Sequence, residues 1–278
     1  MRLIRFGSRG EERTGIWRDG RVVDLQSHFP EIPEPGERFF REGWLEKAKT
    51  VTDKGFPYAG RLGAPIPRPT KIVCLGKNYA EHAREGSFEP PERPLLFCKS
   101  MNAVNGPEDP ILLPKSSGRI DWEVELAVVI GREAKRIPKS RAVEYVAGYM
   151  VMNDVSGREA QFRDSQWYRG KSFDTFAPMG PALVTVDEIP DPGRLRLWAK
   201  VNGELMQDGT TADLIFDIPT LIADISEDIT LVPGDIISTG TPAGVGIFRD
   251  PPVVLRTGDV VECGIDGIGI LRNEVVDG

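Results

Sequence analysis

The chain has 278 residues, enough for one large domain or for a large domain with a small companion. With 40% hydrophobic and 28% charged residues it has the composition of an ordinary folded protein, not a disordered one. A formal charge of −7 and the lack of any basic, aromatic-interleaved patch argue against a nucleic-acid partner, and no apolar run approaches the ~20 residues of a membrane span.

Along the chain, residues 1–67 are expected to form a small unit of their own. Met1–Ser8 turns polar too quickly for a signal peptide, so a cytoplasmic protein is expected. Short strand-like pieces (Arg2–Phe6, Thr14–Arg18, Arg21–Asp24) give way to a proline-rich middle and a helical stretch near Trp44–Thr50. Pro65-Ile66-Pro67-Arg68-Pro69 then reads as a stiff connector. From Lys71 onward the texture is that of many short strands: Ile72–Leu75, Leu95–Cys98, Trp122–Ile130, Val146–Asn153, Ala182–Val186, Leu195–Val201, Asp235–Thr239, Val260–Cys263 and Ile268–Arg272. Helical signals are fewer, at Lys139–Tyr145, Ser156–Phe162 and Phe216–Glu227. Strands do not alternate with helices, so an α+β, β-rich fold is expected rather than a doubly wound sheet.

Three scattered cysteines, with no CxxC, indicate neither a zinc site nor a disulfide framework; each reads as a small buried hydrophobe. There are only two histidines, His28 and His82, so any catalytic imidazole is one of them. Asp121-Trp122-Glu123-Val124-Glu125 runs straight into Leu126–Ile130, which on a strand sets Asp121, Glu123 and Glu125 on one face. Such crowded carboxylates read either as ligands for a hard divalent cation or as an exposed strand end. Asp154, closing Val146–Asn153, completes a three-carboxylate set if that strand neighbours the acidic one; otherwise it caps the next helix.

Four further clusters carry chemistry in company. Arg158 and Gln161 are three apart on one helix face, where Arg158 suits a substrate carboxylate or a surface salt bridge. Lys171, in the loop-like run Gly170–Phe176, suits a developing oxyanion or simple solvation. His82 and Glu85 have the i, i+3 spacing by which a carboxylate orients a basic imidazole, followed by a loop able to fold over a site. The glycine-rich turn Ser238–Gly246, which includes Thr241, lacks the lysine of a phosphate loop but can cradle a small carboxylate.

Taken in order, GKNYAEHAREG, PLLFCKS, DWEVELAVVIG, AGYMVMNDVSGREAQ, GKSFDTFAPMGP, VNGELMQDG and ISTGTPAGVG resemble the fumarylacetoacetate hydrolase family from about residue 71 to the C-terminus. The resemblance implies a mixed β-sandwich roll at 68–278, a small accessory domain at 1–67, and a homodimer. It implies Mg²⁺ or Mn²⁺ (Ca²⁺ in vitro) held by Glu123, Glu125 and Asp154, leaving Asp121 beside the site or at the surface. Catalytic roles fall to His82, Glu85, Lys171 and Gln161, and substrate contacts to Arg158, Lys99 and Thr241. The family's prototype has a further acid ligand just upstream of its catalytic histidine, but Leu75–Tyr79 contains no acid. The resemblance is therefore to the three-carboxylate branch, which includes acylpyruvate hydrolases and oxaloacetate decarboxylases. It implies a small dicarboxylate or 2-oxo acid substrate and C–C hydrolysis of a 2,4-dioxo acid through an enolate. Oxaloacetate decarboxylation, or isomerisation or tautomerisation of a 2-hydroxyhepta-2,4-diene-1,7-dioate type of substrate, is the alternative.

Overall fold

A computed structural model describes all residues, 1–278. Its largest element is a twelve-stranded sheet whose centre is Ala177–Thr185, Val146–Asn153, Val124–Ile130, Ile236–Ser238 and Ile72–Gly76, with Leu95–Lys99 on one edge. Every residue of Val124–Ile130 and Val146–Asn153 is buried, which is why these strands read as continuous apolar runs instead of alternating ones. They are antiparallel, with Val124 opposite Asn153 and Val128 opposite Tyr149.

A second, five-stranded sheet runs Glu204–Thr210, Arg196–Val201, Val260–Ile265, Gly269–Asp277 and Ile111–Leu113, and it packs against the central strands of the first. Gly269–Asp277 alternates buried and exposed side chains, the pattern of a sheet with one solvated face. The fold is thus α+β and strand-rich, as the sequence predicts.

The first strand, Arg2–Phe6, pairs antiparallel with Ala177–Thr185, so the large sheet runs without a break from the N-terminal strands into the centre. One hydrophobic core, from Leu3 to Val275, serves both. Helix Ile218–Asp228 shows how its sequence specifies it. Asp217 accepts from the Thr220 amide as N-cap, Pro219 sits in the first turn, and Ile218, Leu221, Ile222 and Ile225 face the core.

Several local expectations change. The predicted helix at Lys139–Tyr145 is a 3₁₀ helix, and that at Ser156–Phe162 begins only at Arg158. Lys171 ends a short helix, Tyr168–Lys171, instead of lying in a loop. Cys98 is exposed on the edge strand, whereas Cys74 and Cys263 are buried. No helix is long and apolar enough to cross a membrane.

Candidate active site

The acids lie where the central strands leave the sheet. Because Val124 pairs with Asn153, Glu123 and Glu125 come beside Asp154, whose amide donates to the Glu123 carbonyl at 2.8 Å. Oxygens of Glu123, Glu125 and Asp154 lie within 4.8 Å of one another, and all three side chains are buried. The exposed-strand-end reading is therefore excluded, and Asp154 caps no helix.

Three buried cations answer these acids. The Lys171 ammonium donates to Glu123 at 2.6 Å and to Asp154 at 2.7 Å. Lys99 donates to the other Asp154 oxygen at 2.5 Å and to the Val155 carbonyl. Arg158 donates to Glu123 at 2.6 Å, to Asp121 and, from Nη1, to Gln161 Oε1. Burial works against the charged form of Glu123, yet Lys171 and Arg158 outweigh it and hold the carboxyl far below the usual range. Burial pulls Lys99 below its usual value despite Asp154. It acts likewise on Lys171, but Asp154 and Glu123 win and hold it above.

Glu125 is the acid left without a cation. It accepts only from the Ser238 hydroxyl and the Gly240 amide. Burial, followed by repulsion from Asp154 and Glu123, pushes its pKa up to about 8. Three converging carboxylates, one of them short of positive charge, fit a hard divalent ion with oxygen ligands.

Asp121 is fully buried, not at the surface. Its carboxylate accepts from the Gly246 and Ile247 amides, both at 2.9 Å, and from Arg158. It thus ties the glycine-rich turn to the guanidinium that steadies Glu123. Asp121→Asn leaves part of that buried set unpaired, and denaturant titration is expected to show a loss of about 2–3 kcal/mol.

The turn in question also anchors the lid. His82 Nδ1 lies 2.7 Å from Glu85 Oε1 on the short helix Ala80–Glu85, and the Gly244 amide donates to Glu85 Oε2 at 2.8 Å. Phe248, just beyond, packs its ring 6.0 Å from His82 and 6.1 Å from Phe88. Gly244 has φ +106°, and a Cβ there would lie 2.2 Å from the Met206 carbonyl oxygen. Gly244→Ala is expected to cost roughly 2 kcal/mol or more of stability. With the turn displaced and Glu85 released, substrate KM is expected to rise; steady-state kinetics on the folded fraction checks this.

These groups enclose one pocket. It is lined by Glu123, Glu125, Arg158, Gln161, Lys171, Thr241 and His82, with an apolar wall that includes Phe88, Phe97, Trp167 and Phe248. The Thr241 hydroxyl donates to the Val124 carbonyl, which holds the turn against the acidic strand. Lys99 does not line the pocket: it stands behind Asp154, with its side chain entirely buried. His28 is remote, paired with Asp53 in the N-terminal region.

The model of the fumarylacetoacetate hydrolase C-terminal family matches residues 71–276, the stretch that contributes all of these side chains. The chain belongs to the fumarylacetoacetate hydrolase family. It is 43% identical over 287 residues, 99% of this chain and 92% of the relative, to oxaloacetate tautomerase Fahd2a, mitochondrial, of Rattus norvegicus. The fumarylacetoacetate hydrolase structure from psychrophilic Exiguobacterium antarcticum matches with a TM-score of 0.86 at 37% identity, over 100% of both chains. Maleylpyruvate hydrolase from Sphingobium sp. SYK-6, solved in complex with manganese(II) ion and pyruvate, matches with a TM-score of 0.81 at 31% identity, again over 100% of both. The chain is therefore an enzyme of this family, with the family's sheet architecture and a buried carboxylate triad.

Sequence reasoning missed the apolar wall and the buried station of Asp121. Neither has a clear local signal, because Phe88, Trp167 and Phe248 come from three separate segments and two of the three amides on Asp121 lie 125 and 126 residues away, the third being that of Trp122.

Proposed function

We propose that this enzyme catalyses keto–enol tautomerisation of a compact 2-oxo acid of the oxaloacetate type, assisted by a divalent ion. The observation that carries the reading is His82, oriented by Glu85 and lining the same pocket as Glu123 and Glu125 of the carboxylate triad. A carboxylate only accepts, so His82 Nδ1 carries the hydrogen and Nε2 is left as the base. Nε2 takes a proton from the carbon next to the 2-oxo group and returns one to the enol oxygen, so nothing is gained or lost. Lys171 spends two of its three N–H bonds on Glu123 and Asp154, leaving one for the oxygen that gains charge. Gln161 accepts from Arg158 through Oε1, which leaves its amide hydrogens for the same oxygen. A divalent ion held by Glu123, Glu125 and Asp154 would supply Lewis acidity toward a 2-oxo acid.

Pocket size supports a short substrate. The water-accessible core of the pocket is about 50 Å³, room for roughly four waters, which suits a compact substrate. The resemblance to a relative named oxaloacetate tautomerase points the same way.

A second reading is C–C hydrolysis of an acylpyruvate, favoured by the same dyad. Nε2 would deprotonate water, the hydroxide would add to the distal carbonyl, and the C–C pair would pass to the enolate of the pyruvate fragment. The deciding experiment follows enol–keto interconversion of oxaloacetate and cleavage of acetylpyruvate and maleylpyruvate, each with Mg²⁺ or Mn²⁺ and with EDTA. Ion-dependent interconversion faster than either cleavage is expected. Faster cleavage would replace the first reading with the second, and activity untouched by EDTA would remove the metal from both.

A further inference from the structure

We infer that Lys77 receives the distal carboxylate of the substrate, making this pocket selective for 2-oxo dicarboxylates over 2-oxo monocarboxylates. The inference rests on the 2-oxo acid reading above and deepens it. Three permanent cations line the pocket: Lys77, Arg158 and Lys171. Arg158 and Lys171 are committed to Asp121, Glu123 and Asp154. Lys77 has no carboxylate partner. Its ammonium lies 3.9 Å from the centroid of the Phe88 ring, a contact that holds a cation without neutralising it.

The backbone adds an independent argument. Lys77 has φ 58°, a left-handed conformation that glycine adopts freely and lysine does not. The next residue enforces it. Asn78 donates from its side-chain amide to the Thr239 and Phe216 carbonyls, while its own Oδ1 accepts from the Phe216 amide. Strain kept at a pocket wall by over-determined neighbours marks a side chain whose placement matters. Here it aims a lysine into the space under the lid, where glycine would have been the relaxed choice.

The geometry also links charge to closure. Lys77 precedes the helix that carries His82 and Glu85, and Phe88 follows that helix. A carboxylate on Lys77 would fix the ammonium, and with it the Phe88 ring, over the bound substrate. The far end of a diacid would therefore be read by the lid, while the 2-oxo acid end meets Lys171, Gln161 and the triad.

The test uses the full-length protein with saturating Mn²⁺ and the variants Lys77→Met and Lys77→Arg. Oxalate, which mimics the 2-oxo acid end alone, is titrated calorimetrically. Deuterium exchange at C3 is followed by NMR for oxaloacetate and for 2-oxobutanoate, a chain of equal length without the far carboxylate. Lys77→Met is expected to raise the oxaloacetate KM by about tenfold or more with kcat nearly unchanged. Its oxalate Kd and its 2-oxobutanoate exchange should stay within about threefold of the wild type, and Lys77→Arg should recover most of the loss. An unchanged oxaloacetate KM, or equal losses on both substrates with oxalate binding intact, overturns the assignment of Lys77 alone. A wild-type protein that neither binds oxalate nor exchanges either substrate overturns the 2-oxo acid reading, and this inference with it.

Discussion

Replacing Glu125 with Gln is expected to weaken Mg²⁺ or Mn²⁺ binding by about 100-fold or more, and turnover with it, while leaving the metal-free protein at least as stable as the wild type at pH 8.5. The two effects separate because Glu125 is the carboxylate without a cation. Its partners are a hydroxyl and a backbone amide, both able to meet a side-chain amide oxygen. Burial and the neighbouring acids raise its pKa from an ordinary 4.5 to about 8. A group raised on folding contributes stability that is fully present below pH 4.5 and is lost as pH climbs through 8. The metal-free wild type therefore pays this loss between about pH 4.5 and 8, and the Gln variant does not. Urea titrations of both proteins with EDTA at pH 5.5, 7 and 8.5 should show the stability difference moving in favour of the variant as pH rises. With excess Mn²⁺ the order should reverse, because an ion at 100 times its Kd adds about 2.7 kcal/mol to the native state and only the wild type captures it. A variant that binds Mn²⁺ as well as the wild type would remove Glu125 from the ligand set.

The carboxylate cluster was legible for a physical reason. Glu123 and Glu125 share a strand face at period two, and Asp154 ends a strand whose unbroken apolar run marks it as central. Only the antiparallel pairing of Val124 with Asn153 was needed to bring them together. The lid pair was legible from spacing alone, since i, i+3 residues meet on any helical turn. Pairings over long separations were not. Nothing in Arg2–Phe6 announces Ala177–Thr185 as its partner, and strand edges carry no address in the side-chain pattern. Asp121 shows the same limit at the site. Period two sets it with Glu123 and Glu125, but the strand breaks between Asp121 and Val124, and the freed carboxylate turns to amides of a distant turn. Lys99 ends the edge strand Leu95–Lys99, and only the three-dimensional path of that strand reveals that its ammonium reaches Asp154 from behind. The strand Glu204–Thr210 has no such signal: only Gln207 on it is buried and it ends in Asp208-Gly209-Thr210, so neither apolar run nor alternation singles it out.

Replacing His82 with Ala is expected to slow proton transfer at the substrate by 10²–10⁴-fold, the usual worth of a positioned general base, without loss of ion binding. His82 makes no hydrogen bond to the triad carboxylates; its polar partner is Glu85, and its ring packs on Phe248. Glu85→Gln should cost less, because the side-chain oxygen can still accept from one donor. It nevertheless gives up the charge that steadies the protonated imidazole, and it competes less well for the Gly244 amide. The ordering expected in kcat is therefore wild type, then Glu85→Gln, then His82→Ala, with Mn²⁺ affinity level across the three. The reaction followed matters. Enolisation and acylpyruvate cleavage both need a base, whereas loss of carbon dioxide from oxaloacetate needs only an electron sink at the 2-oxo end. In His82→Ala, oxaloacetate decarboxylation should therefore survive better than deuterium exchange at C3 or acetylpyruvate cleavage. Parallel assays of the three on one preparation decide it. Equal loss in all three, with Mn²⁺ binding intact, would recast His82 as a residue that closes the lid, because a failed closure harms every substrate alike.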